Sequence, residues 1–177
     1  MQTLVTEASF HHFTEPLEGE NLPDTTLTGV LHSSPFVWLQ FLRHLDCIYC
    51  KGLVQDIREF IQKWGDKVKP ALIFVHPNTI EEGKLFFQRF FPGAAHIADP
   101  SLRLYKLFKV RRASVLTQIN PSNLLHMWKL WRRGLRNGRP KADPLLLHAT
   151  FLFHEGRLIW KYYANQLNDV PDWKKLL

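Results

Sequence analysis

The 177-residue chain has two cysteines, and they stand three apart as Cys47-Ile48-Tyr49-Cys50. Thiols at this spacing suit redox chemistry when they open a helix. The first helical turn offers unpaired N–H groups and the positive end of the helix dipole, and both stabilise a thiolate. Such settings bring a cysteine from ~8.5 into the range ~3.5–7.5. A thiolate attacks disulfides and peroxides, and a second thiol one turn away resolves the product. Cys47, the more N-terminal and expected to be the more exposed, is the expected nucleophile, with Cys50 resolving. A disulfide across so short a loop would constrain the unfolded chain little, so the pair is not read as a structural staple. A zinc half-site competes with the redox reading. Zinc takes four ligands, and the remaining candidates His44, His76, His96 and His148 are scattered, with no histidine pair at finger spacing. No metal and no other cofactor is expected.

Neighbouring residues bear on the same chemistry. Arg43 and His44 closely precede the pair and are either thiolate partners or solvated basic residues at a strand end. Ile48 and Tyr49 lie between the sulfurs and tune the reduction potential; Tyr49 is equally a packing or rim aromatic.

The flanking elements follow from the pattern of apolar residues. Phe36 to Leu42 is an apolar run of strand length without alternation, which predicts a strand buried on both faces. After the cysteines, Leu53, Ile57, Phe60, Ile61 and Trp64 fall on one helical face, predicting a helix to about Asp66. Ala71 to Val75 is a second buried strand. Thr79 caps the next helix, Glu81 and Glu82 sit in its first turn, Leu85, Phe86, Phe90 and Phe91 form its apolar face, and Pro92-Gly93 ends it. Ala94 to Ala98 reads as a short strand, and Asp99-Pro100-Ser101 starts a short helix.

A further helix begins at Asn120-Pro121-Ser122-Asn123 and ends over Gly134 to Pro140. Leu124, Trp128, Trp131 and Leu135 form its apolar stripe, expected to close over the sheet or to meet a partner. Leu145 to Phe153 and Leu158 to Tyr163 make a hairpin about His154-Glu155-Gly156-Arg157, and Asn168 to Leu177 a final amphipathic helix. Upstream, Thr25 to His32 reads as a short strand or half a hairpin. Strands alternating with helices, then a hairpin, predict an α/β fold: a mixed central sheet with helices on both faces. Residues 1–24 are expected to be an N-terminal extension and 25–177 a single domain, with a helical insertion at about 121–140.

The formal net charge of +7 favours anionic partners in general. Between Pro121 and Pro144 there are six Lys or Arg and one acid, Asp143. This reads first as a solvated basic face. An alternative of a different class is a non-catalytic binding module that uses this basic, Trp-bearing helix on an anionic membrane surface or nucleic acid. Nothing resembles a base-reading motif or a Gly-rich phosphate loop, so nucleic acid is not expected. No run approaches the ~18 apolar residues of a membrane span, and Met1 to Phe13 lacks the apolar core of a signal peptide. The expectation is a soluble, cytoplasmic protein.

Three blocks resemble a known group. They are Phe41-Leu42-Arg43-His44-Leu45-Asp46-Cys47-Ile48-Tyr49-Cys50, then Asp99 to Phe108 with Val110-Arg111-Arg112-Ala113-Ser114, then Ala149 to Ile159. Together they resemble thioredoxin-like, peroxiredoxin-like proteins of the AhpC/TSA superfamily that carry Cys-x-x-Cys, near the peroxiredoxin-like 2 and selenoprotein L relatives. The resemblance implies a thioredoxin-like fold and a thiol–disulfide oxidoreductase with a thioredoxin- or glutathione-type reductant and a disulfide or peroxide substrate. A homodimer is an open possibility. Arg112 falls in the second block and is either a site residue or part of a solvated turn.

Two departures qualify the resemblance. Typical peroxiredoxins place Pro and Thr where this chain has Gln40 and His44, which makes the peroxidase reading the weaker alternative. Thioredoxins face the motif with a cis-proline and typical peroxiredoxins with an arginine; His148 stands here. It is expected either to hydrogen-bond the thiolate and carry protons, or to be a bonded core histidine.

Overall fold

The centre of the molecule is the run that leads to the cysteines. In the computed structural model, which describes residues 13–63, 70–114 and 121–172, this run is strand Phe36–Phe41, almost wholly buried. Taken in chain order, the strands are β1 (Glu18–Glu20), β2 (Phe36–Phe41), β3 (Ala71–His76), β4 (Ala95–Ala98), β5 (Ala149–His154) and β6 (Arg157–Tyr163). They form one sheet in the order β1-β4-β3-β2-β5-β6. β2 pairs parallel with β3 and antiparallel with β5; β3 pairs parallel with β4, and β6 antiparallel with β5. The mixed sheet expected from the alternation of runs is therefore present. β1 pairs antiparallel with β4, so the stretch read as a surface extension supplies an edge strand.

The helices are α1 (Leu27–Leu31), α2 (Ile48–Lys63), α3 (Ile80–Phe90), α4 (Arg103–Leu107) and α5 (Pro121–Arg132). Side-chain alternation along β2 divides the core in two. Val37, Leu39 and Phe41 face α1 and α4, packing with Leu27, Val30, Leu104 and Phe108. Trp38 and Leu42 face the other way, packing with Ile48, Val54 and Ile57 of α2, Phe87 of α3 and Leu130 of α5. Gln40 lies between two strands, fully buried and fully bonded: its amide donates to the carbonyls of Phe41 and Ala149, and its oxygen accepts from Thr150 at 2.8 Å.

Three local readings need correction. Thr25 to His32 is not a strand. Thr26 caps α1 by accepting from Gly29 N, and Leu27, Val30 and Leu31 then share one buried helical face, so the i, i+3, i+4 spacing prevails over β-branched propensity. Within the predicted final helix, residues 168–172 are not helical, and 173–177 lie outside the described residues. Of the two alternatives for the stripe of Trp128 and Trp131, closing over the sheet or meeting a partner, the first does not hold. Both rings are about half exposed, and α5 is seated instead by Asn123 and Leu130. The predicted continuation of α2 beyond Lys63 falls on residues 64–69, outside the described set.

Candidate active site

β2 delivers the chain to the sheet's carboxyl end, and the loop Leu42 to Asp46 carries it to the start of α2. Cys47 immediately precedes that helix and its carbonyl accepts from Lys51 N at 3.1 Å; Cys50 lies in the first turn. Both cysteines are free thiols, and both are buried, Cys47 at 3% exposure and Cys50 at 1%. The expected contrast in exposure is therefore nearly absent; what separates the two sulfurs is their hydrogen bonding.

Arg43 is not a solvated strand-end residue. It is buried at 3% exposure, and its guanidinium donates to Cys47 Sγ at 2.9 Å, to Leu146 O at 2.6 Å and to Pro144 O at 2.5 Å. The backbone N–H of Arg43 donates to Cys50 Sγ at 3.3 Å. Burial alone would raise the Cys47 pKa. The hydrogen bond from the Cys50 thiol and the charge of Arg43 outweigh it and hold Cys47 well below the ordinary thiol range. Cys50 moves the opposite way, raised well above that range by burial, by its bond to Cys47 and by the adjacent negative charge. The geometry thus favours a thiolate on Cys47 and a thiol on Cys50.

His44 is buried, and its Nδ1 has no hydrogen-bond partner among the described residues. Burial lowers its pKa, so it is a neutral imidazole near the thiolate rather than a second cation. Arg43 is then the charge that counts. His148 is likewise buried and lowered by burial, within electrostatic reach of Arg43 and Cys47. Its Nε2, however, is bonded to the carbonyl of Asp169, so it is a bonded core histidine beside the site. Tyr49 donates to Asn123 O at 2.8 Å and stacks on His126, and burial raises its phenol to about 12. It ties α2 to α5. Arg112 points elsewhere: it is exposed and pairs with Asp143 at 3.0 Å. Its backbone bridges to Leu146, one of the two carbonyl partners of Arg43.

Several site residues carry no sequence signal. Asn137, in the loop after α5, accepts from Ile48 N at 2.9 Å and so caps α2 from outside, while Gly138 N donates to Asp46 O. Asn78 accepts from Leu45 N at 3.0 Å. Tyr105 donates to Leu42 O and to Val75 O, fixing the ends of β2 and β3 beneath the cysteines. Each contact joins residues tens of positions apart, and only the fold brings them together. Among the described residues no cluster of three or more His, Cys, Asp or Glu could hold a metal. No helix among them is long and apolar enough to cross a membrane.

A family model described as AhpC/TSA antioxidant enzyme matches residues 53–166, a span that begins just after the cysteine pair. No curated protein matches the chain. Among solved structures, a peroxiredoxin Q from Xanthomonas campestris superposes with a TM-score of 0.60 at 15% identity, covering 91% of this chain and 85% of that one. A peroxiredoxin-like protein from Aquifex aeolicus gives 0.54 at 13% identity over 81% of this chain and 68% of that one. A PrxQ variant from Xylella fastidiosa gives 0.56 at 13%, covering 93% and 85%. The shared architecture is thioredoxin-like, as the three sequence blocks implied.

Proposed function

The chain belongs to the AhpC/TSA antioxidant enzyme family, and from that premise we propose that it is a two-cysteine thiol oxidoreductase with Cys47 as attacking thiolate and Cys50 as resolving thiol. The observation that carries the reading is Arg43 Nη1 at 2.9 Å from Cys47 Sγ, with Cys50 in the same helical turn. A structurally similar X. campestris protein, bacterioferritin comigratory protein, at 15% identity, is described in terms of alkyl peroxide reduction activity. Here the burial of Cys47 also favours a slender hydroperoxide over a bulky protein disulfide as oxidant, because little of the sulfur is open to solvent.

In the first step Cys47–S⁻ attacks the hydroperoxide, the O–O bond breaks and Cys47 becomes a sulfenic acid. The departing alkoxide is protonated from solvent and leaves as the alcohol. Cys50 then attacks the sulfenic sulfur, and water leaves as the Cys47–Cys50 disulfide forms. A thioredoxin- or glutathione-type thiol reopens it by exchange and is itself oxidised. Disulfide exchange at the same thiolate is the second reading, supported by the missing peroxidatic Pro and Thr at Gln40 and His44. The three sequence blocks support kinship with peroxiredoxin-like 2 and selenoprotein L proteins, and the lack of a membrane-spanning helix among the described residues fits a cytoplasmic location.

The test is mass analysis of trapped thiols after oxidation by a hydroperoxide or by glutathione disulfide. Wild type is expected to form an intramolecular disulfide, faster with the hydroperoxide. Cys50→Ser is expected to hold an adduct on Cys47, and Cys47→Ser to stay inert. An adduct on Cys50 in the Cys47→Ser protein, with an inert Cys50→Ser, would overturn the roles.

A further inference from the structure

Helix α5 has two apolar faces, and among the described residues the fold uses only one. Asn123 and Leu130 are buried, with Met127 partly so, and Leu130 packs against Gly52 of α2. On the other side Leu124, Leu125, Trp128 and Trp131 share one face at helical spacing and are 54%, 58%, 51% and 48% exposed. Solitary exposed apolar residues are ordinary; four large ones on one helical face are an interaction surface.

The charges on this helix narrow the partner. The Arg132 guanidinium lies 4.9 Å from the Trp128 ring centroid, and that of Arg136 lies 5.8 Å from Trp131. Lys129 is exposed beside them, and from Pro121 to Ala142 the chain carries no acid. Arg133 is neutralised by Asp56 and Glu59 on α2, and Lys141, in the loop beyond the helix, by Glu82. A second copy of the chain on this face would bring cation against cation. The face is also the convex ridge of a helix rather than a groove, which suits a surface that deforms around it. We propose that α5 is an interfacial helix that docks the protein on anionic phospholipid, with Leu124, Leu125, Trp128 and Trp131 at the acyl boundary and Lys129, Arg132 and Arg136 among the headgroups. Indole rings prefer this level of a bilayer, and basic flanks add electrostatic attraction. The inner face of the same helix holds Tyr49, between the two cysteines, through Asn123 O. Docking therefore sets the dithiol one helix diameter, about 10 Å, behind the lipid surface.

The experiment is co-sedimentation of the full-length reduced protein with phosphatidylcholine vesicles made with or without phosphatidylglycerol. The expected result is retention on the anionic vesicles only, declining with salt. Replacing both Trp128→Ser and Trp131→Ser should cut partitioning at least about tenfold, and Arg132→Gln about fivefold, with unchanged thermal melts because these side chains are exposed. Replacing both Cys47→Ser and Cys50→Ser should leave partitioning intact, which separates this proposal from the redox reading. No retention, equal retention on neutral vesicles, undiminished retention of the double Trp variant, or preferential capture by polyglutamate or single-stranded DNA would each overturn it.

Discussion

Arg43 directs its guanidinium to Cys47 Sγ, Leu146 O and Pro144 O, and this fixes the charge beside the sulfur. Because the folded protein holds Cys47 below the ordinary thiol range, its ionised form stabilises the fold above the unfolded thiol's range. That contribution is lost as pH falls through the folded value. Alkylation of Cys47 by iodoacetamide should therefore remain fast at neutral pH and decline on the acid side. Arg43→Met is expected to move the profile to higher pH and slow neutral-pH alkylation at least about tenfold, the scale of a hydrogen bond to a charged group. Arg43→Lys should recover only part, since an ammonium cannot reproduce the planar fork. The sequence puts Arg43 four residues before Cys47, so the pairing was legible as a possibility. Its two carbonyl partners lie 103 and 101 residues on, where no local pattern could point to them.

At the scale of elements, the seat of α5 on α2 depends on Gly52. A Cβ there would stand 2.6 Å from Leu130 Cδ2. Overpacking in Gly52→Ala costs about 1–3 kcal/mol, offset by about 1 kcal/mol of helix propensity, so chemical denaturation should show a small net loss, and less than the sum when combined with Leu130→Ala, since the two changes share one contact. A second element-level feature joins β1, β3 and β4. His76 Nε2 and His96 Nδ1 share a 3.0 Å hydrogen bond, and His96 Nε2 lies 3.3 Å from Glu20 Oε2. Burial, then the charge of His96, pushes His76 down from 6.5 to about 3. Protons then favour the unfolded chain, so stability is complete above 6.5 and falls as pH drops toward 3. The denaturation midpoint should decline across that window by more than about 1 kcal/mol equivalent, and His76→Gln should flatten the curve. The long strands β2, β3 and β5 were readable as unbroken apolar runs. α1 was not, because Thr25-Thr26 resembles strand composition until the cap is seen. Nor was the outward turn of Trp128 and Trp131, because a helix with two apolar faces offers no sequence rule for choosing the buried one.

For the whole molecule, the order of runs gave the mixed sheet, whereas β1, with only three residues and two glutamates, had no strand signature. The net charge of +7 acts at this scale on encounter rather than on fold. An acidic reductant should reopen the Cys47–Cys50 disulfide faster than a neutral one, with a second-order rate that falls as ionic strength rises. A stopped-flow series in salt measures it. A rate indifferent to salt would mean that the basic surface does not face the reductant.

The three guanidinium hydrogen bonds of Arg43 also bear on the energy of the electron pair. With the dithiol reduced, the buried guanidinium faces a thiolate; once the disulfide forms, that anion is gone and, among the described residues, the cation keeps the carbonyls of Leu146 and Pro144 as partners. The fold therefore favours the reduced state, as an unpaired buried charge is costly. The pair should be a comparatively strong oxidant, easily reset by cellular thiols. Removing the cation in Arg43→Met should make the potential more negative, by about 30 mV for each tenfold change in the exchange equilibrium with glutathione. Arg43 thus links how readily Cys47 begins the cycle to how readily the cycle is completed.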